Sequence, residues 1–581
     1  MASYTQTEDR RALTRPAITT RAFNALGPWL LVAPALILVA IFLVYPMIGV
    51  ILRSLDPQGA LSYTHPNFST VNYNELINDQ ASRVILRNTV VVAGIAAAIS
   101  VLIAYPVAAF LSRLPVKRAR WLLLLALFPF WTSVLVRIYS LQLILAQVGM
   151  LFTQLAVIIG MVSYLLPLLI LIFYSAMVRI DDNLLLAART LGANSGKAFR
   201  RIFVPLSRPA VYSGTLLVFV IGLGFFLTPA LLGGPGDITV SMYIQERVNK
   251  GAWGLAAAMG VGLLVAALIV YYVFDRFFGV ERIVDGGRGP VNVKVDEGGS
   301  NQQWASRNTK WALAGWSALV FAFLIVPLLC IVLLSFSSQS YLRLPPKGLS
   351  THWYTEFFNE PGWREAAWLS LRVALLTTVF ATVIGLLAAL GLTRGKMRGR
   401  GFLRALFMMP LIIPVILVAA GIYDLELRMH LSGQVLGYAL AHTVLALPFT
   451  IIIISSALLQ VGDSLEEAAR SLGAGRVKAF VRVTLPLILP SVVTAALIAF
   501  VTSWEEVVVS LFLQVIQPTL PVAIYQFVQK DLRPTVTALS TLLIAGLLLI
   551  GLILFLVRRI AARRRSSAVP SVPAASEMEV A

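Results

Sequence analysis

The sequence predicts an all-α polytopic membrane protein made of two parallel six-helix halves. Three observations carry this. The 581 residues are 58% hydrophobic and only 13% charged, with a mean hydropathy of +0.83, where a soluble chain carries about 25% charged residues. Apolar runs longer than 18 residues recur along the chain, each long enough to cross a ~30 Å hydrocarbon core. Finally, DNLLLAARTLGANSGKAFRRIFVPLSRPA (Asp182–Ala210) returns 281 residues later, without a gap, as DSLEEAARSLGAGRVKAFVRVTLPLILPS (Asp463–Ser491), with 15 of 29 positions identical.

Residues 1–28 form a polar, basic tail with Arg10, Arg11, Arg15 and Arg21. The apolar run that follows is longer than a signal peptide's core and has no small-residue cleavage site close by, so it reads as a retained first helix. Twelve spans are expected, at 29–52, 89–111, 122–142, 152–177, 211–232, 253–274, 311–335, 369–392, 402–423, 435–458, 492–513 and 537–557. The third and fourth are hard to separate, because 141–165 has no clear polar break. Prolines inside spans (Pro34, Pro46, Pro129, Pro167, Pro327, Pro410, Pro414, Pro448) are tolerated where neighbouring helices satisfy the freed backbone groups. The halves are 29–278 and 310–557, with polar loops at 181–210 and 462–491. Between them, 279–309 is rich in Gly, Asp, Asn and Ser and reads as a flexible linker. Residues 558–581 form a second basic tail.

Charge sets the orientation. With the N-terminus inside, the inner segments hold 34 Lys+Arg and 14 Asp+Glu, which accounts for the whole net charge of +20. Twelve spans put both termini, the linker and both repeated loops in the cytoplasm. Arg558, Arg559, Arg563, Arg564 and Arg565 agree. This distribution orients the chain and meets anionic lipid; it does not point to nucleic acid. The single cysteine, Cys330, forms no disulfide within the chain, and the scattered histidines (His65, His352, His430, His442) show no zinc spacing. No metal site is expected, and His442 reads as a packed helix-end histidine.

The repeat extends beyond the block: Arg113 matches Arg394, Pro129 matches Pro410, Pro167 matches Pro448, and Phe219-Val220 matches Phe500-Val501. Six intervening helices make the repeats parallel, with a pseudo-twofold axis along the membrane normal and a pathway between the halves. Each loop reads as a short helix, a glycine turn and a second amphipathic helix, after which proline starts or bends the next span. Ala187-Ala188 and Ala468-Ala469 allow close approach of a partner surface; Lys197, Arg201, Lys478 and Arg482 give a basic face. A helix lying on lipid headgroups is the alternative. Matched Ala, Gly and Pro positions in otherwise diverged halves favour docking.

The run Glu467-Ala468-Ala469, Gly473, Leu485-Pro486 resembles the EAAxxxG…LP motif of ABC importer permeases that work with binding proteins. The resemblance implies a type I ABC importer permease fold in a bacterial inner membrane. It makes the repeated loops coupling helices that dock on a cytoplasmic ATPase dimer, through Ala187, Ala188, Gly192 and Pro205 in one half and Glu467, Ala468, Ala469, Gly473 and Pro486 in the other. The first copy departs from the pattern, with Leu186 in place of the glutamate. The chain has no GxxxxGK[ST] phosphate loop, so it is not expected to be an enzyme. ATP and magnesium would sit on the separate ATPase, and no cofactor is expected here. An external binding protein would deliver a small-molecule substrate to outer loops 53–88, 335–368 and 514–536.

GFFLTPALLGGP at 224–235 and SWEEVVV at 503–509 look like spermidine/putrescine-type permeases, whose relatives also move aminoalkylphosphonates, opines and ferric iron. Glu505 and Glu506 lie in the eleventh span beside Trp504, where carboxylates and a π face suit a cationic amine. A structural ion pair with Arg137 or Arg372 is the alternative. The first half has Gly224 and Phe225 at these positions. Tyr139, Tyr423, Asp424 and Glu426 read as interface or loop groups. An ion-gradient-driven secondary transporter with two six-helix halves is the rival class.

Overall fold

The computed structural model describes residues 18–57, 68–278, 306–341, 345–395, 397–530, 534–546 and 548–549. Residues 1–17 with Arg10, Arg11 and Arg15, the C-terminal basic tail, most of the 279–309 linker and the end of the twelfth expected span lie outside the described residues; residues 18–28 of the expected N-terminal tail, with Arg21, are helical and lead directly into the first span.

The first half runs α1 (Gly27–Ser54), α2 (Val71–Asn78), α3 (Gln80–Leu111), α4 (Val116–Trp131), α5 (Val134–Gln147), α6 (Gln154–Met177), α7 (Asp182–Thr190), α8 (Ser195–Leu223), α9 (Leu227–Leu232), α10 (Val240–Asn249) and α11 (Trp253–Phe278). The second runs α12 (Arg307–Leu334), α13 (His352–Asn359), α14 (Pro361–Arg394), α15 (Arg400–Met408), α16 (Val415–Arg428), α17 (Val435–Val461), α18 (Ser464–Ser471), α19 (Arg476–Trp504), α20 (Val508–Leu513), α21 (Leu520–Lys530) and α22 (Thr535–Gly546). The 281-residue offset now governs geometry as well as sequence. Both bounds of α2 and α13, α5 and α16, α8 and α19, and α9 and α20 differ by that number.

Among the described residues nine helices are long and apolar enough to cross a membrane, and two bent pairs bring the total to eleven. α22 covers the start of the twelfth expected span, whose end lies outside the described residues. The third and ninth spans are not single rods. α4 and α5 meet at 81°, and α15 and α16 at 96°. Pro129, Pro410 and Pro414 sit at these bends rather than inside straight helices, because proline offers no amide and clashes with the preceding turn. The fifth and eleventh spans also differ from the expected continuous runs. α8 stops at Leu223 and α19 at Trp504, each followed by a three-residue break and a short helix. The unclear region 141–165 resolves into a loop at 148–153, closed by Thr153 as the cap of α6.

Among the described residues three helices widen by one residue immediately before a proline. The amides of Tyr45, Val204 and Leu485 donate five residues back, to Ala40, Phe199 and Phe480, and Pro46, Pro205 and Pro486 follow. The π-turn moves each proline ring off the carbonyl it would otherwise strike. A continuous helix therefore passes through Pro205 or Pro486 from the repeated loop into the fifth or eleventh span.

The halves are entwined. α1 leaves its own half and packs on α14 and α16; α12 does the same on α3 and α5. The approach of α1 is close, since a Cβ at Gly391 would fall 2.9 Å from the carbonyl of Pro28. A single cluster of buried apolar side chains runs through both halves, from Val32 to Ile544.

Candidate coupling and translocation sites

The repeated loops fold alike. In each, a short exposed helix ends on a left-handed glycine, Gly192 (φ +87°) or Gly473 (φ +89°). The amide of Gly192 donates to Arg189 and that of Ala193 to Ala188; Gly473 and Ala474 repeat this with Arg470 and Ala469. This double closure is a Schellman motif, and it explains the fixed alanine-to-glycine spacing. Nothing lies within 4 Å of a Cβ built at either glycine, so backbone conformation demands glycine, not space. The closure leaves a bare leucine on each turn, Leu191 (88% exposed) and Leu472 (89%). Ala187, Ala468 and Glu467 are exposed beside them, Ala188 and Ala469 are partly buried, and Leu186 takes the place of Glu467 in the first copy.

Each loop is tied to its own bundle by an arginine from the end of the second span. Arg113 pairs with Asp182 and lies over the Phe203 ring at 4.7 Å. Arg394 pairs with Asp463 and Glu466, and Glu466 also accepts from the Thr484 hydroxyl at 2.8 Å. The first half has Leu185 and Phe203 where the second has Glu466 and Thr484. Glu466 therefore faces inward, whereas Glu467, the motif glutamate, faces solvent. Sequence reasoning matched Arg113 with Arg394 but missed what they hold.

The second site lies where broken spans meet between the halves. Gly224 abuts the other half's bend: a Cβ there would sit 3.3 Å from Pro414 Cα. Phe225 meets Tyr164 edge-on at 5.0 Å, and the buried Arg137 guanidinium lies 5.6 Å from the Tyr164 ring centre. Arg137 interacts electrostatically with Glu505 of the other half. Its Nε and Nη1 are buried without a hydrogen-bond acceptor. Glu505 ends α19; Glu506 accepts the Val509 amide at 2.9 Å and so caps α20. Both are partly buried, and Trp504 stacks on Phe500. Arg372 is exposed.

Half-helix ends aimed at a site between repeats suit an ionic solute, because they present caps and free backbone groups without lipid contact. His442 is not at a helix end: it is buried in the third turn of α17, with both ring nitrogens bonded to serines. Nor do the expected outer groups behave as loop residues. Tyr139 and Glu426 are fully buried, and Asp424 pairs with Arg53 of the opposite half.

Two entwined, parallel helical repeats with a polar break between them define a membrane transporter. The pattern of binding-protein-dependent transport system inner membrane components matches twice, over residues 91–279 and 381–567, and the chain belongs to that family. It is a multi-pass inner-membrane permease. It is 35% identical over 240 residues to the spermidine/putrescine transport system permease protein PotB of Haemophilus influenzae, covering 38% of this chain and 83% of the relative. It is 32% identical over 254 residues to the PotB protein of Escherichia coli (41% and 92%), and 33% over 227 residues to the PotC protein of Haemophilus influenzae (39% and 88%). A solved bacterial ABC transporter involved in the import of the acidic polysaccharide alginate covers 44% of this chain and 98% of its own at 18% identity. Its TM-score of 0.32 is too low to speak for the fold.

Proposed function

We propose that this chain is a complete pair of permease halves for an ATP-driven importer of a polyamine-type cation. A separate cytoplasmic ATPase dimer carries ATP and magnesium and docks on α7 and α18, through Ala187, Ala188, Gly192 and Pro205, and Glu467, Ala468, Ala469, Gly473 and Pro486. An external binding protein delivers the solute to the opposite face, and both termini are cytoplasmic. ATP closes the motor, the two loops approach, and the halves rock about the pathway.

The observation that carries the substrate class is the acidic break at Glu505–Glu506, set between the halves beside Trp504, in a chain whose relatives are named for spermidine and putrescine. Carboxylates in a site shielded from water are costly unless a cation meets them. Arg137, whose charge acts on Glu505, favours a second reading: a zwitterion such as an aminoalkylphosphonate or opine, whose anionic end the guanidinium would take. Ferric iron is a further candidate cargo.

The test is reconstitution with the ATPase and binding protein in liposomes, followed by uptake of polyamines, zwitterions and ferric iron. Polyamine uptake that depends on ATP supports the proposal. Uptake of zwitterions or iron alone overturns the substrate, and uptake driven by an ion gradient without ATP overturns the class.

A further inference from the structure

Resting on the cation reading above, we infer that His442 is a positioning residue for the acidic break, and that it sets which ammonium spacing the site accepts. His442 on α17 is 1% exposed. Its Nδ1 lies 2.9 Å from Ser503 Oγ and its Nε2 3.1 Å from Ser510 Oγ. Ser503 is the penultimate residue of α19, and Ser510 lies in the first turn of α20. One imidazole thus holds both sides of the break, with Glu505 and Glu506 between its two partners.

The direction of each hydrogen bond can be worked out. The Ser503 hydroxyl donates to Thr377 Oγ1 at 3.2 Å, and Thr377 donates to the Ala439 carbonyl at 3.4 Å. Ser503 has then spent its hydrogen and accepts from His442 Nδ1–H. Nε2 is left bare and accepts from Ser510. The chain Ser510, His442, Ser503, Thr377, Ala439 runs one way across α20, α17, α19 and α14, and it satisfies a neutral ring completely.

The first half provides the control. At an offset of 281 it has Met161, Gly222, Pro229 and Ala96 in place of His442, Ser503, Ser510 and Thr377. There the Met161 methyl packs 3.3 Å from a Cβ built at Gly222. That half makes the same break at Gly224 and Phe225 with no side chain bridging its two helices as His442 does; its polar contact there is the Ser241 hydroxyl, which donates to the Gly224 carbonyl at 3.2 Å. The broken span does not need a bridge from one helix end to the next. Of the two breaks, the bridged one is the one that carries the carboxylates, so the use of the bridge lies in the carboxylates. Glu506 caps α20 through the Val509 amide, next to Ser510. Any slip of α20 against α19 therefore changes the separation of Glu506 from Glu505, and His442 is what prevents the slip.

The test uses the full chain reconstituted with its ATPase and binding protein. Uptake of α,ω-diamines of increasing length is measured as KM and kcat. S510A, which removes one of the two hydrogen bonds of the ring, should raise KM about tenfold with kcat nearly unchanged, and H442M, which installs the residue the first half already packs there and removes both, should raise it at least as much. Both should flatten the dependence on diamine length, and S510T, which keeps the hydroxyl, should restore it. Should H442M fail to assemble, S510A carries the measurement. An unchanged KM and length profile in S510A, or a loss confined to kcat, overturns the positioning role. The control is E505Q with E506Q. If that pair blocks uptake while H442M and S510A do not, the cation reading stands and this inference fails. If the pair changes nothing, the cation reading itself fails.

Discussion

Arg394, at the end of α14, pairs with Glu466, on the inner side of the second repeated loop. The loop that faces the motor is thereby joined to a helix that lines the bundle, and Arg113 with Asp182 repeats the joint in the first half. The joints are unequal. The Glu466 side chain is 16% exposed and that of Asp182 is 42%. Removing Arg394 strands a poorly hydrated carboxylate, whereas Asp182 can recover water.

Arg394→Ala is therefore expected to uncouple transport more than Arg113→Ala. The measurement is solute moved per ATP hydrolysed in the reconstituted complex. Arg394→Ala should lower this ratio about tenfold, equivalent to ~1.4 kcal/mol, while the ATPase still co-purifies. Equal ratios in the two variants would refute the asymmetry.

Much of this was legible beforehand, and the reason is the repeat. An offset of 281 residues located both loops, the parallel halves and the Gly224 counterpart of Glu505 from residues alone. The breaks in the third, fifth, ninth and eleventh spans were not legible, because hydropathy averages over a turn and sees the same apolar run on either side of Gly224 or Glu505. His442 looked inert for a similar reason. Its partners Ser503 and Ser510 lie more than sixty residues away, and serine in an apolar helix carries no periodic signal. The repeat held a usable clue: a position that is polar in one half and apolar in the other, His442 against Met161, marks where the halves differ in duty.

Gly473 tests the loop closure. A side chain there must adopt φ +89°, which costs about 1–2 kcal/mol for most residues and less for asparagine. Gly473→Asn should keep ATPase co-purification near the parent level, Gly473→Ala should weaken it, and Gly473→Trp should abolish it or uncouple hydrolysis from uptake. Normal coupled transport by Gly473→Trp would remove this turn from the docking surface.

The acidic pair gives a third expectation. Glu505→Gln with Glu506→Gln keeps an oxygen to cap α20, so assembly and thermal stability should hold. Charge is lost, and uptake of a cationic solute should fall at least about tenfold. Unchanged uptake kinetics would take Glu505 and Glu506 out of the pathway and leave Arg137 as a purely structural partner of Glu505.

The fourth expectation concerns the face opposite the loops. Arg53 at the end of α1 pairs with Asp424 of α16, and its guanidinium lies 4.5 Å above the Trp253 ring. Trp253 in turn stacks on Tyr423 at 6.0 Å. Arg53 and Trp253 belong to the first half, Tyr423 and Asp424 to the second, so halves that rock apart on this face must break the ion pair and the stack together. The Arg53 and Asp424 side chains are 9% and 19% exposed, so the pair is shielded enough to matter. Asp424→Asn should favour the state open on this face and raise ATP hydrolysis without substrate by about three- to tenfold. A flexible bifunctional thiol reagent joining Arg53→Cys to Asp424→Cys, with Cys330 replaced by serine, should stop uptake, and cleavage of the reagent should restore it. Full uptake by the cross-linked protein would mean that the pathway opens without separating Arg53 from Asp424, and alternating access through this face would have to be abandoned.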